Sequence, residues 1–107
     1  MHLKENPTLS DFQQYVRDLK IERGFKDNKP YTCMMMAEEI GELFSAVRKN
    51  MKGGHIGTDS IVGNVSLELA DVLIYLLDIA NQHGVDLESA FRKKEEINKT
   101  RTWKKVD

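Results

Sequence analysis

Leu9, Phe12, Val16 and Leu19 recur at i, i+3, i+7 and i+10, so the first periodic stretch of the chain is one apolar side of a helix. Thr8 stands where an N-cap belongs, with Asp11 at the third helical position, and Gly24 offers a C-terminal stop. A second apolar stripe runs through Cys33, Met36, Ala37, Ile40, Leu43, Phe44, Val47 and Met51. Pro30 suits the first turn of that helix, and Gly53-Gly54 ends it just beyond Met51. The third stretch, Val65 to Ala80, is apolar around most of its circumference, which predicts a buried helix that stops at Gly84. Asp86 caps a fourth, with Leu87, Ala90, Phe91 and Ile97 as its apolar face. Residues 52 to 63, with their glycines and Thr58, Asp59 and Ser60, are the longest irregular connection. They read first as an ordinary surface loop between antiparallel helices and second as a segment that moves over a ligand. No stretch reads as a strand, so the expected fold class is all-α, a four-helix bundle-like single domain over residues 1–107.

Polar interruptions of this pattern carry the chemistry. With Glu68 set at zero and about 100° per residue, Asn64, Asp71, Tyr75, Asp78 and Gln82 all fall within a sector of roughly 80°. An acidic stripe on an otherwise apolar helix must face something that stabilises negative charge, because an isolated buried carboxylate neutralises. On the second helix Glu38 and Glu42 lie opposite the apolar stripe. Glu39 sits on its flank, three residues before Glu42, so Glu39 and Glu42 converge from adjacent turns. Each of Glu38/Glu42 and Glu68/Asp71 is a like-charge pair at helical contact spacing, and no basic residue follows any of these acids by three or four positions. A solvated polar face is the bland explanation. The missing local cations weigh against it.

An all-oxygen cluster selects hard cations, Mg²⁺ or Mn²⁺, over zinc, whose sites favour His and Cys. A di-iron bundle needs Glu-x-x-His pairs, and His2, His55 and His83 all stand outside that spacing. Carboxylates around Mg²⁺ commonly serve phosphate chemistry, since the ion keeps positions open for substrate oxygens and water.

The order Glu38-Glu39-x-x-Glu42, then 25 intervening residues, then Glu68-x-x-Asp71 resembles the MazG-like all-α nucleoside triphosphate pyrophosphohydrolases, which include dimeric dUTPases and dCTP pyrophosphatases. The likeness extends to Lys94-x-x-x-Asn98-x-x-Arg101, similar to that family's phosphate-binding segment, and covers roughly residues 31 to 103. Spacing alone sets Lys94, Asn98 and Arg101 at i, i+4 and i+7, suitable for triphosphate oxygens, with Arg capable of a bidentate contact. The resemblance implies an Mg²⁺-dependent hydrolase, with Mn²⁺ as a substitute. Such an enzyme cleaves a (d)NTP between its α and β phosphates, a nucleotide house-cleaning activity. Glu39, Glu42, Glu68 and Asp71 are then the metal ligands. Glu38 either accepts the proton of the attacking water or hydrogen-bonds a water on the metal. Tyr75, one turn beyond Asp71, either contacts nucleotide or orients a carboxylate. Two other readings stand beside this one: a helical nucleotide-binding module without turnover, and a hydrolase of another phosphoanhydride.

The remaining composition narrows the class. A net charge of −1 gives the chain no electrostatic footprint for nucleic acid or an anionic membrane. The run around Leu73 is too short and too acidic to span a bilayer, and Met1 to Pro7 lack the apolar core of a signal peptide. One cysteine, Cys33, forms no internal disulfide, which agrees with a cytoplasmic setting. Three amphipathic neighbours poorly cover a helix as apolar as Val65 to Ala80, so a homodimer or homotetramer is expected. Trp103, beyond the helical core, is open to covering a base or a neighbouring subunit.

Overall fold

The computed structural model describes residues 1–107 and contains four helices, α1 (Leu9–Arg23), α2 (Lys29–Lys49), α3 (Val65–Gln82) and α4 (Leu87–Lys99), with no strand. Each helix begins where a short polar side chain can accept an orphan amide. Thr8 and Asp11 form a reciprocal capping box at α1, with Thr8 Oγ1 accepting from the Asp11 amide at 3.1 Å and Asp11 Oδ2 accepting from the Thr8 amide at 2.8 Å. Asn28 caps α2, whose first turn contains Pro30, and Asp86 caps α4. Asn64, expected on the acidic stripe, instead turns its oxygen back to the Ser66 and Leu67 amides as the cap of α3.

Helix α1 stops at Gly24, whose φ of 71° only glycine adopts cheaply; the Gly24 amide donates to Ile21 O and the Phe25 amide to Lys20 O. Helix α2 ends two residues before the expected Met51, and its stop is Asn50 rather than the glycine pair. Asn50 Nδ2 donates to Ala46 O at 2.7 Å and across to Gly63 O at 3.2 Å. Arg48 reaches His55 O and Lys49 reaches Ile61 O, so the 52–63 loop is laced back onto the end of α2.

Helices α2 and α3 pack along one another, α1 packs on α3, and α4 leans on α1. The buried apolar centre is small, Val16, Leu19 and Leu77, flanked by Phe12, Tyr15 and Leu87. A polar knot does as much as this core to fasten α1. Gln13 is 2% exposed, and its Nε2 donates to Asn81 Oδ1 and Val85 O, its Oε1 accepts from the Leu87 amide, and its main-chain oxygen accepts from Asn81 Nδ2. Every buried group there has a partner, the condition under which burying an amide is not a loss.

Helix α3 is not enclosed within this chain, where three neighbours were expected to cover it poorly: Leu67, Leu69, Leu73, Ile74 and Leu76 are all exposed. Two expectations about burial need correction. On α2 the packed seam is Thr32, Met36, Glu39, Leu43 and Ala46, while Cys33, Ala37, Phe44, Val47 and Met51 of the expected stripe face outward. Helix α4 buries nothing fully, and its Phe91 is open to solvent. The accessible surface of 8683 Å² exceeds the roughly 6,100 Å² of a folded monomer of this mass. The radius of gyration, 17.3 Å, likewise exceeds the roughly 13 Å of a compact chain this long. No helix is long and apolar enough to cross a membrane.

Candidate functional site

The outward turn of the α2 stripe puts Glu39 on the seam between α2 and α3, where Glu68 arrives from the first turn of α3. One carboxylate oxygen each of Glu39, Glu42 and Glu68 lie within 4.8 Å of one another. Glu39 and Glu68 are half-buried and Glu42 is exposed. Asp71 stands outside this trio but beside it, lining the same cleft as Glu39. The α3 N-terminus, capped by Asn64, adds the partial positive charge of its amides near Glu68.

These acids have no cationic partner. The ion pairs of the structure, Lys4–Asp11, Lys20–Asp27, Lys20–Asp78, Arg92–Glu88 and Lys99–Glu96, include none of them. Glu39 Oε2 and Glu68 Oε2 are buried without a hydrogen-bond donor. Burial pushes the Glu39 carboxyl above its ordinary 4.5, and the charges of Glu42, Asp71 and Glu68 push the same way. Converging, partly desolvated oxygens with no donor fit a hard divalent cation. Tyr75 is drawn into the same field: burial raises its phenol above 10.0, followed by the charge of Glu39.

Asp78, also on the expected acidic stripe, takes no part in the trio. It pairs at 2.7 Å with Lys20, and both are nearly buried. Lys20 Nζ also donates to Asp27 at 2.5 Å. Burial alone would lower the Lys20 ammonium, but its bonds to Asp27 and Asp78 outweigh that and hold it above 10.5. Lys94, Asn98 and Arg101 do not join the acids within this chain, and none lines the cleft that Glu39 and Asp71 share. Helix α4 ends at Lys99, so Arg101 follows the cap residue Thr100 and does not continue the face of Lys94 and Asn98. Asn98 Oδ1 is buried without a donor. Glu38 is exposed beside Glu39.

Two features escaped the sequence pattern. Gly63 is needed for close approach: a Cβ there would stand 3.1 Å from Ala46 Cβ and 3.7 Å from Glu68 Oε1. Lys20 was hidden because a lysine one place after an apolar stripe ordinarily reads as solvated.

Residues 28–104 match the model of the MazG nucleotide pyrophosphohydrolase domain. The chain belongs to this family. A dATP/dGTP diphosphohydrolase of Cyanophage S-2L is 38% identical over 76 residues, spanning 71% of this chain and 59% of that relative. The solved structure of a Cyanophage S-2L MazG-like pyrophosphohydrolase, bound to dGDP and three catalytic Mn²⁺ ions per active site, superposes with a TM-score of 0.69 at 30% identity, covering 94% of this chain and 90% of the other. The iMazG protein of Vibrio DAT 722 gives a TM-score of 0.66 at 33% identity, covering 92% and 100%. The likeness to these solved structures therefore extends over the helical arrangement of more than nine-tenths of the chain.

Proposed function

We propose that this MazG domain, a single unit over residues 1–107, hydrolyses nucleoside triphosphates to monophosphate and pyrophosphate in a divalent-metal-dependent reaction. The convergence of Glu39, Glu42 and Glu68 within 4.8 Å, with two of their oxygens buried and lacking donors, carries this reading. Glu39, Glu42, Glu68 and Asp71 would hold the metal. A bound Mg²⁺ or Mn²⁺ supplies positive charge against the phosphates and lowers the pKa of water. Glu38, exposed next to the trio, takes the proton of the attacking water, the step that needs a base. Water adds at phosphorus and the bridging oxygen between the α and β phosphates leaves with the pyrophosphate. Deoxypurine triphosphates are the first candidates, since the Cyanophage relative is named for dATP and dGTP.

Lys94, Asn98 and Arg101 are proposed to bind phosphate oxygens. Because they do not line the cleft of their own chain, this role calls for a second copy or for phosphates extending past the cleft. The excess accessible surface and the open Leu67, Leu69, Phe44 and Met51 support a homo-oligomer in which such surfaces are covered. A cytoplasmic enzyme on free nucleotides, with no nucleic acid or membrane partner, is the matching setting. Pyrophosphate release measured across the deoxy- and ribonucleoside triphosphates, with Mg²⁺, with Mn²⁺ and with chelator, tests the reading. Release that is metal-dependent and absent in Glu68→Gln is expected, whereas release indifferent to chelator and to that substitution refutes it.

A further inference from the structure

Four side chains of α2 share one face: Glu39, Glu42, Ala46 and Asn50 stand at i, i+3, i+7 and i+11, within a sector of roughly 80° at about 100° per residue. The first two bring oxygens to the acidic trio. The last two are where the chain returning from the 52–63 loop meets α2. Ala46 is 2% exposed, and a Cβ on Gly63 would stand 3.1 Å from the Ala46 Cβ, so the two segments touch with no room for a larger residue. The same added Cβ would lie 3.7 Å from Glu68 Oε1. Gly63 thus rests between the packed face of α2 and a carboxylate of the site.

Asn50 holds it there. Its Nδ2 donates to Ala46 O at 2.7 Å and to Gly63 O at 3.2 Å. Ending the helix does not require this side chain, because the Asn50 amide already donates to Ala46 O at 3.2 Å. What the side chain adds is a bridge from the last turn of α2 to Gly63. Lys49 Nζ holds a second carbonyl of the same returning limb, Ile61 O, at 3.0 Å. From Gly63 the path to the acid is short. Asn64 comes next, its side chain caps α3, and its main-chain oxygen accepts the Glu68 amide at 3.0 Å. The place of Gly63 is therefore passed to Glu68 through a single helical turn.

We infer that Asn50 is a positioning residue of the metal site: by bridging Ala46 O and Gly63 O it fixes the start of α3 against α2, and so sets where Glu68 stands relative to Glu39 and Glu42. The inference rests on the proposed metal-binding role of these acids. Three carboxylate oxygens within 4.8 Å repel one another and press the two helices apart until a cation arrives. Glu68 Oε2 is buried with no donor, so the place of this carboxylate depends on the backbone that carries it. A tether independent of the cation keeps that backbone near its ligating position beforehand. Groups that orient metal ligands in this way typically carry roughly 10- to 100-fold of metal affinity.

The test compares wild type with Asn50→Ala, Asn50→Asp, Gly63→Ala, the Asn50→Ala, Gly63→Ala double variant and Arg48→Ala in the full chain. Readouts are the calorimetric Kd of Mn²⁺ alone per folded chain, circular dichroism and light scattering. Asn50→Ala should raise the Mn²⁺ Kd roughly 10-fold with helix content and scattering mass unchanged. Asn50→Asp keeps the size but cannot donate, and should weaken Mn²⁺ as much, although its added negative charge would by itself tighten a cation. Arg48→Ala frees the outgoing limb of the loop at His55 O and should bind as wild type. Gly63→Ala opens the same contact from the other side, so the double variant should bind little more weakly than the weaker of its parents. Wild-type affinity in Asn50→Ala, tighter binding in Asn50→Asp, equal weakening in Arg48→Ala, or full additivity in the double variant would each overturn the role of Asn50. Should wild type bind Mn²⁺ and both Asn50 variants match it, the inference falls alone. Should wild type bind no Mn²⁺, the metal reading falls and takes the inference with it.

Discussion

Replacing Glu68 with glutamine should make the metal-free protein more stable and the metal-loaded protein less so. The three carboxylate oxygens lie within 4.8 Å. At that distance a pair of full charges repels by about 0.9 kcal/mol in a water-like dielectric and about 3.5 kcal/mol at an effective dielectric near 20. Glu42 is exposed, so its share belongs near the lower figure. Neutralising Glu68 removes two of the three pairwise repulsions while keeping its size and one acceptor oxygen. A net gain of about 1 to 2 kcal/mol without metal follows, which for a domain this small raises Tm by roughly 5 to 10 °C. With Mg²⁺ at 100 times its Kd, wild type should gain about 2.7 kcal/mol, and the variant, one ligand short, much less. Thermal melts in chelator and in a Mg²⁺ series, at fixed protein concentration, read both quantities. A variant less stable than wild type in chelator, or one with an equal Mg²⁺ response, would show that these acids are held by something other than a cation.

Gly63→Ala should cost roughly 1 to 2 kcal/mol, since its Cβ would press on Ala46, and should weaken metal binding through the neighbouring Glu68 oxygen; denaturant melts and Mn²⁺ calorimetry check the two effects separately. Gln13→Ala strips partners from Asn81, Val85 and Leu87 at once and should lower stability by roughly 2 to 4 kcal/mol, read by urea denaturation, with Mn²⁺ affinity per folded chain unaltered. The Asp11 carboxyl is held below 3.8 chiefly by the Thr8 amide, and that of Asp86 below 3.8 chiefly by the Ser89 hydroxyl. For carboxyls lowered on folding, the stabilisation is present above about 3.8 and is lost as pH falls through the lower folded value. An Asp11→Asn, Asp86→Asn double variant should therefore show a shallower loss of stability below pH 4 than wild type, followed by circular dichroism. Lys94→Ala and Arg101→Ala should reduce kcat/KM by the equivalent of roughly 1 to 3 kcal/mol if they bind phosphate, and wild-type kinetics in both would remove that role.

The helix starts were readable because Thr8 and Asp86 act through the main chain within three residues, and nothing distant competes with such local bonds. The acids were readable for a related reason: like charges at helical spacing without a cation are a cost the folded chain must recover elsewhere. Which side of α2 faces inward was less legible. The buried positions are Thr32 and Ala46, which lie beside the apolar stripe and not along it, and Ala46 is where Gly63 makes its close approach. Asp78 illustrates the limit of reading one helix alone. Its place on the acidic stripe is real, but Lys20, 58 residues earlier, decides what it does. The cleft that Glu39 and Asp71 border was likewise invisible as a unit, because Phe25 and Tyr31 belong to no periodic stripe and line it together only in the folded chain.

The amide of Leu87 is the first of α4 and, like any residue opening a helix, has no helical acceptor. Here it donates across the fold to Gln13 of α1. Its exchange with solvent deuterium is therefore governed by the docking of α1 and not by the integrity of α4. While the first helix stays seated the Leu87 proton is protected, and each time it lifts away the proton becomes free to leave. One backbone position, unlabelled and unmutated, thus serves as a clock for the opening of a different helix, distinguishable from the later α4 amides that report their own unwinding.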